Sequence, residues 1–145
     1  MKIVIQRVSS ASVRVSEEII GQIYKGLLLF AGFHKNDTEE DLKWVCNKII
    51  KLRVFEDKEG KMNKSVREVG GSLLVVSQFT LYGNAKKGTR PSFTEAASPD
   101  IAEPMYNKMI DILKESGLQT ESGKFAAMMD VKLVNSGPVT LILER

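Results

Sequence analysis

Only two segments of the chain have the periodicity of a helix, whereas about eight short runs have the pattern of strands. The run 27–31 is apolar at every position, as in a strand that is buried on both faces. Two helices cannot cover both faces of so many strands, so the remaining apolar sheet surface must meet a second sheet or a second copy of the chain. We therefore predict an α/β fold of layered, mixed β-sheets with two amphipathic helices packed on one face, and a homodimer.

The predicted sheet begins with strands at 3–8 and 11–16, which would form a hairpin around Ser9 and Ser10. The other strand-like runs lie at 19–24, 27–31, 52–55, 72–79, 118–121, 131–134 and 139–143.

The two predicted helices have recognisable starts. Asp37 or Thr38 caps the first, whose apolar residues recur with a period of 3.6. Ser98 and Pro99 open the second, which closes at Gly117. Pro104 removes a backbone donor in the second helix, so we expect either a distorted first turn or a later start.

The composition is that of a globular chain, with 145 residues, 43% hydrophobic and 27% charged. This length supports one core without a disulfide or a metal, so we predict a single domain over residues 1–145. Cys46 is the only cysteine and His34 the only histidine. These counts nearly exclude a structural zinc site and leave few options for a Ser-His-Asp or Cys-His centre. We also expect no cofactor.

The amino terminus lacks the apolar core of a signal peptide, and no run is long enough to span a bilayer. We therefore expect a cytoplasmic protein with no membrane partner. The net charge of +3 is too small to identify a polyanionic partner by itself. Its distribution is more informative, because Lys86, Lys87 and Arg90 form a basic stretch without an acid from 83 to 94. That stretch is either a solvated loop or a phosphate-binding loop.

Hydroxyl and amide side chains follow the apolar run 73–76, at Ser77, Gln78 and Thr80. They either line a pocket at the strand end or satisfy nearby backbone groups. A threonine nucleophile would need an activating base, and the neighbouring sequence supplies none. We therefore expect Thr80 not to be the nucleophile.

The Gly137–Pro138 pair is either a turn between two strands or a cis peptide whose carbonyl groups form a rigid wall. The residues alone do not decide between them. Phe125 and Met129 are likewise either core residues or the two sides of a slot for a planar base.

Three stretches in register resemble the D-aminoacyl-tRNA deacylase family, also called the D-tyrosyl-tRNA deacylase family. They are SQFTL at 77–81, KGTRPSF at 87–93 and GPVT at 137–140. The resemblance covers nearly the whole chain, with further matches at 6–8, 52–55 and 61–63.

This resemblance implies a cytoplasmic homodimer that acts on tRNA. It would hydrolyse the ester between a D-amino acid and the terminal adenosine, reject L-aminoacyl-tRNA, and also act on glycyl-tRNA mischarged on tRNA(Ala). The resemblance implies no metal. It also implies roles for particular residues. The reaction centre would be lined by Ser77, Gln78, Phe79 and Thr80, and the adenosine pocket would be formed in part by Phe125 and Met129. A cis Gly137–Pro138 peptide would enter the partner's pocket and reject L-amino acids, and Arg7 would brace that peptide.

An aminoacyl ester is already activated, so its hydrolysis needs an oriented nucleophile and donors for the developing oxyanion. Backbone amides between Gln78 and Thr80 are our candidate donors, and the resemblance implies that the 2′-hydroxyl of the substrate helps to orient or activate water. Two positions depart from the family pattern, which often has glycine at Ala126 and aspartate at Ser136. These departures bear on fine specificity, because the neighbouring motif residues are kept. The competing hypothesis is a non-catalytic RNA-binding dimer that uses Lys86, Lys87 and Arg90 on phosphates.

Overall fold

The computed structural model describes all 145 residues. It contains eight strands, two α-helices and one 3₁₀ turn. In chain order they are β1 (Lys2–Val15), β2 (Glu18–Ile23), β3 (Gly26–Gly32), α1 (Glu39–Lys51), β4 (Phe55–Glu56), β5 (Met62–Lys64), β6 (Ser72–Ser77), the 3₁₀ turn (Phe79–Tyr82), α2 (Pro99–Glu115), β7 (Thr120–Ser122) and β8 (Asp130–Glu144).

The main sheet is mixed and nearly closes into a barrel. The long strand β1 pairs antiparallel with β2, β3 and β8, whereas β3, β6 and β7 run parallel to one another. The strands β2 and β7 stand at the two ends of the strand order and approach each other. A Cβ atom on Gly21 of β2 would lie only 2.8 Å from the carbonyl oxygen of Ser122 in β7. The predicted mixed α/β architecture is therefore confirmed.

The apolar residues divide between the two faces of this curved sheet. The larger core cluster joins side chains of both helices to alternate strand residues such as Ile3, Leu27 and Leu73. The intervening residues, such as Leu28 and Leu74, belong to a smaller cluster on the other face. Alternation along β3 and β6 thus supplies both clusters, which explains why the run 27–31 is apolar at every position.

The predicted hairpin around Ser9 and Ser10 is wrong, because both serines lie inside the continuous strand β1. The pairing of β1 with β8 shifts register twice between Gln6 and Ser10. At a bulge of this kind the alternation of buried and exposed residues shifts by one position. In the sequence, such a shift looks like the break between two strands.

The carboxyl-terminal strands also differ from the prediction. The runs 131–134 and 139–143 are parts of one strand, β8, rather than two strands separated by a loop. The run 52–55 contributes only Phe55 to the short β4–β5 ribbon, and the strand expected over 72–79 ends at Ser77. The bounds of short strands depend on their pairing partners, so the local sequence contains little pattern from which to predict them.

Both predicted helices are confirmed. The Thr38 hydroxyl accepts a hydrogen bond from the Asp41 N–H, and the Asp41 carboxylate accepts one from the Thr38 N–H, which completes a capping box at the start of α1. Helix α2 begins at Pro99 and continues through the exposed Pro104, so the later start is wrong. Neither helix is long and apolar enough to cross a membrane.

Candidate active site

A cavity of about 700 Å³ opens where the parallel strands β3 and β6 end. The carboxyl ends of parallel strands are a common place for ligand sites in α/β folds. Most of the lining is apolar or aromatic, from the strand ends, the start of α2 and the segment 125–131, and no lining side chain is ionisable. Ser77, Gln78 and Ser98 supply the polar side chains. The cavity therefore suits a largely uncharged, planar ligand held by a few polar groups.

The end of β6 is held in place by backbone pairing. Ser77 pairs with Ala31 of β3, and the N–H of Gln78 donates to the Ala31 carbonyl at 2.8 Å. The chain then enters the 3₁₀ turn, whose first N–H groups, those of Phe79 and Thr80, have no partner within the turn itself. These main-chain donors lie beside the polar end of the cavity, where Ser77, Gln78 and Phe79 are all lining residues.

Thr80 is next to the cavity but is not among the residues that line it. Its hydroxyl accepts a hydrogen bond from the side-chain amide of Gln78, which is its one hydrogen-bond partner. No carboxylate, imidazole or amine contacts this hydroxyl, so the arrangement lacks the base that would activate a threonine nucleophile.

The segment 125–129 forms another part of the cavity lining. Phe125 and Met129 both line the cavity, as does Ala126. The Tyr106 hydroxyl, on α2, lies 2.9 Å from the carbonyl oxygen of Val75 and 3.0 Å from that of Gly123. Burial raises the pKa of Tyr106 to about 12, so the hydroxyl stays protonated and able to donate. This contact ties Gly123, just before the segment, to strand β6, whose end also lines the cavity.

The Gly137–Pro138 peptide is cis, and both residues are exposed. Arg7, which is only 8% exposed, fixes the backbone that leads into it. The Arg7 Nε donates to the Ser136 carbonyl at 3.1 Å, and Nη1 donates to the Val54 carbonyl at 2.7 Å. Only the main chain of Ser136 is used, so the departure at this position leaves the contact with Arg7 intact.

A second side chain holds the same part of β8. The Asn135 side-chain amide donates to the carbonyl oxygens of Arg7 and Val139, at 3.0 and 2.9 Å. Gly137 has a φ of +121°, and a Cβ atom there would lie 2.7 Å from Nη2 of Arg7. Position 137 therefore requires glycine both for its backbone conformation and for the close approach of the guanidinium.

Within one chain, the structure brings only part of the predicted site together. Ser77, Gln78, Phe79, Phe125 and Met129 share the large cavity. Arg7 and Gly137 instead line a separate cavity of about 560 Å³ beside Phe55 and Glu56. The Gly137–Pro138 segment is therefore not part of the wall of its own chain's large cavity.

Sequence reasoning missed two positioning residues, Tyr106 and Asn135. Tyr106 falls on the apolar stripe of α2, so the pattern shows its ring but not the role of its hydroxyl. Asn135 lies shortly before the Gly-Pro pair, and an asparagine near a Gly-Pro pair is the one local signal that its amide bonds to the backbone.

Two side chains that often carry chemistry lie outside the cavity. The imidazole Nε2 of His34 is 3.1 Å from a Glu95 carboxylate oxygen. Hydrogen bonds from His34 and Lys35 lower the pKa of Glu95. Cys46 is buried in the core, where desolvation raises the pKa of its thiol to about 12 and suppresses its reactivity. No cluster of three or more His, Cys, Asp or Glu residues is arranged to hold a metal ion.

Comparison with known proteins gives consistent matches over the full chain. The family described as D-Tyr-tRNA(Tyr) deacylase matches residues 4–144. A protein of Thermotoga petrophila named D-aminoacyl-tRNA deacylase is 54% identical over 144 residues, which cover 99% of this chain and 97% of that protein. A protein of the same name from Brevibacillus brevis is 55% identical over 99% of both chains.

Solved structures agree with these matches. A structure described as c-Myc DNA Unwinding Element Binding Protein is 42% identical, with a TM-score of 0.94, covering 100% of this chain and 99% of that one. A structure described as a probable eukaryotic D-amino acid tRNA deacylase has a TM-score of 0.86 over 98% of this chain and 97% of its own. At 16% identity, the second likeness shows the fold alone.

Proposed function

Because this chain belongs to the D-Tyr-tRNA(Tyr) deacylase family, we propose that it is an enzyme that hydrolyses the ester between a D-amino acid and the terminal adenosine of tRNA. The observation that carries this proposal is the cavity that the strand end 77–79 lines together with Phe125 and Met129. The strand end offers main-chain donors, and Phe125 and Met129 offer apolar side chains, as a reacting ester attached to a nucleoside requires.

The proposed chemistry relies on orientation and on main-chain dipoles. An oxyanion forms when water attacks the ester carbonyl, and preorganised N–H donors stabilise it more than they stabilise the ground state. The N–H groups of Phe79 and Thr80 are the proposed donors, since the 3₁₀ turn does not use them. The substrate's 2′-hydroxyl is adjacent to the ester and would orient or activate the attacking water. No side chain of the protein needs to act as base, and the reaction as proposed uses no cofactor.

The adenosine would occupy the wall formed by Phe125 and Met129. An aromatic ring and a thioether both pack well on the face of a purine. Tyr106 holds this wall against β6 through the Gly123 and Val75 carbonyls, so the distance between the nucleoside and the donors is set by the fold.

We assign the rejection of L-amino acids to the Gly137–Pro138 segment of β8. Arg7 and Asn135 hold this segment through main-chain carbonyls, so it presents a stiff surface of backbone atoms. The segment is exposed and lies outside its own chain's large cavity, so we propose that a second copy of the chain supplies it to that cavity. The protein would then sediment as a dimer of the 16.1 kDa chain, and a monomer under assay conditions would contradict this assignment.

Glycyl-tRNA should also be a substrate, including glycine mischarged on tRNA(Ala). A wall that excludes an L side chain does not exclude glycine, which has no side chain to collide with it. Stability of glycyl-tRNA(Ala) in the presence of active enzyme would contradict this extension. We place the activity in the cytoplasm, with tRNA as the partner.

The decisive variant for the mechanism is Thr80→Ala. We expect it to retain substantial hydrolysis of D-tyrosyl-tRNA, because it removes the hydroxyl and keeps the backbone N–H. The measurement is the single-turnover rate of amino-acid release by purified wild type and variant, with circular dichroism as the folding control. A folded variant without any activity would identify Thr80 as the nucleophile and overturn the main-chain mechanism.

A non-catalytic RNA-binding role is the second candidate, favoured by the exposed cations Lys86, Lys87 and Arg90. The same wild-type assay separates the two. Tight binding of D-tyrosyl-tRNA without release of the amino acid would support the second candidate and refute the first.

A further inference from the structure

The segment 83–94, here called the basic loop, connects the 3₁₀ turn to the residues before α2. Every residue in it is exposed. Two backbone hydrogen bonds between Asn84 and Ser92, at 2.8 and 3.0 Å, close its base, and Gly88 has a φ of +68°. The loop is therefore a small projecting hairpin with a defined base.

The cations of the basic loop have no internal partners. Lys86, Lys87 and Arg90 form no ion pair, and the loop itself contains no acid. The next acid along the chain, Glu95, is already bound by His34 and Lys35. Three unpaired cations on one short hairpin create a local positive field that attracts phosphate groups.

The loop is anchored at the mouth of the large cavity. Phe93, near its end, lines that cavity and packs edge-to-face on Phe79, with ring centroids 5.1 Å apart. Phe79 is itself 57% exposed. Exposed aromatic rings beside unpaired cations are the combination with which proteins bind single-stranded nucleic acid, since the rings stack on bases and the cations follow the backbone.

We propose that the basic loop binds the phosphodiester backbone of the single-stranded 3′ end of the tRNA, next to the nucleoside in the cavity. This inference rests on the proposed function and names the part of the substrate that binds outside the pocket. The loop acts on affinity and not on chemistry, because its cations lie on the exposed hairpin whereas the proposed oxyanion donors lie at the strand end.

The test is the triple variant Lys86→Gln, Lys87→Gln, Arg90→Gln. With D-tyrosyl-tRNA we expect kcat/KM to fall about tenfold at 0.1 M salt, with kcat unchanged within about twofold. The slope of log kcat/KM against log salt should become less negative by about 2, as for three phosphates of a single strand. Activity on the D-tyrosyl ester of adenosine, which has no phosphate, should be unaffected.

A matched control is the triple variant Lys43→Gln, Lys58→Gln, Lys114→Gln, which removes the same charge from exposed lysines outside the basic loop. Equal losses in the two triple variants, or an unchanged salt slope in the basic-loop variant, would overturn the proposal. An equal loss on the adenosine ester would also overturn it.

Binding of tRNA that carries no amino acid keeps this test separate from the test of the enzyme activity. If the wild type releases no amino acid, the proposed function fails, and the salt dependence of tRNA binding by the two variants still decides the role of the loop. Loss of binding specific to the basic-loop variant supports the proposal, and equal binding by both variants contradicts it.

Discussion

At the scale of single residues, the proposed site contains two positions, 137 and 126, whose backbone has a positive φ. Gly137 is required by its positive φ and by the close approach of the Arg7 guanidinium. Ala126 is the opposite case, because it adopts a φ of +56° that favours glycine, and the family often has glycine there. The departure at Ala126 therefore carries a conformational cost.

Replacing Ala126 with glycine should increase the free energy of unfolding by about 0.5–1 kcal/mol, because glycine adopts a positive φ without steric strain. Urea denaturation of wild type and variant measures this change. The matched control is Ala127→Gly in the same segment. Ala127 has no positive φ for glycine to relieve, so this substitution should instead lower the free energy of unfolding by about 0.5–1 kcal/mol. Equal destabilisation by both substitutions would contradict the account.

At the scale of elements, prediction succeeded where the pattern is local. The capping residues and apolar stripe of α1 and the apolar stripe of α2 can be read from consecutive residues, and both helices were predicted. The continuous strands β1 and β8 could not be predicted, because the bulges that break their alternation depend on pairing between distant parts of the chain. A serine pair and a Gly-Pro pair looked like turns for that reason.

The contact between α2 and the cavity wall makes a prediction about Tyr106. We expect Tyr106→Phe to lose about 1–2 kcal/mol of stability, because the carbonyl of Gly123 loses the hydroxyl as a partner in a buried setting. The KM for D-tyrosyl-tRNA should rise more than kcat falls, since the wall that carries Phe125 and Met129 is loosened while the strand end is unchanged.

Steady-state kinetics and urea denaturation of Tyr106→Phe test this expectation. Tyr24→Phe is the control, because Tyr24 is 73% exposed. Removing its hydroxyl should change neither the KM nor the free energy of unfolding. A fall in kcat at constant KM would place Tyr106 in the chemistry rather than in positioning and would contradict its assigned role.

At the scale of the whole molecule, the proposed site is divided between two regions of the surface. The strand end, Phe125 and Met129 meet in one cavity, although they are far apart in sequence, and only the family resemblance connected them in advance. The Gly137–Pro138 segment of β8 lies elsewhere on the same chain. Local patterns identified the motifs, but their grouping depends on the curvature of the sheet and, as proposed, on a second copy.

The central claim is that this protein hydrolyses D-aminoacyl-tRNA and spares L-aminoacyl-tRNA. Its most direct test is the single-turnover rate of amino-acid release from matched D- and L-tyrosyl-tRNA by the purified wild-type protein. We predict that the D substrate is hydrolysed faster by at least about a hundredfold, as expected when a rigid wall excludes the L side chain. Comparable rates for the two substrates, or no release from either, would contradict the account.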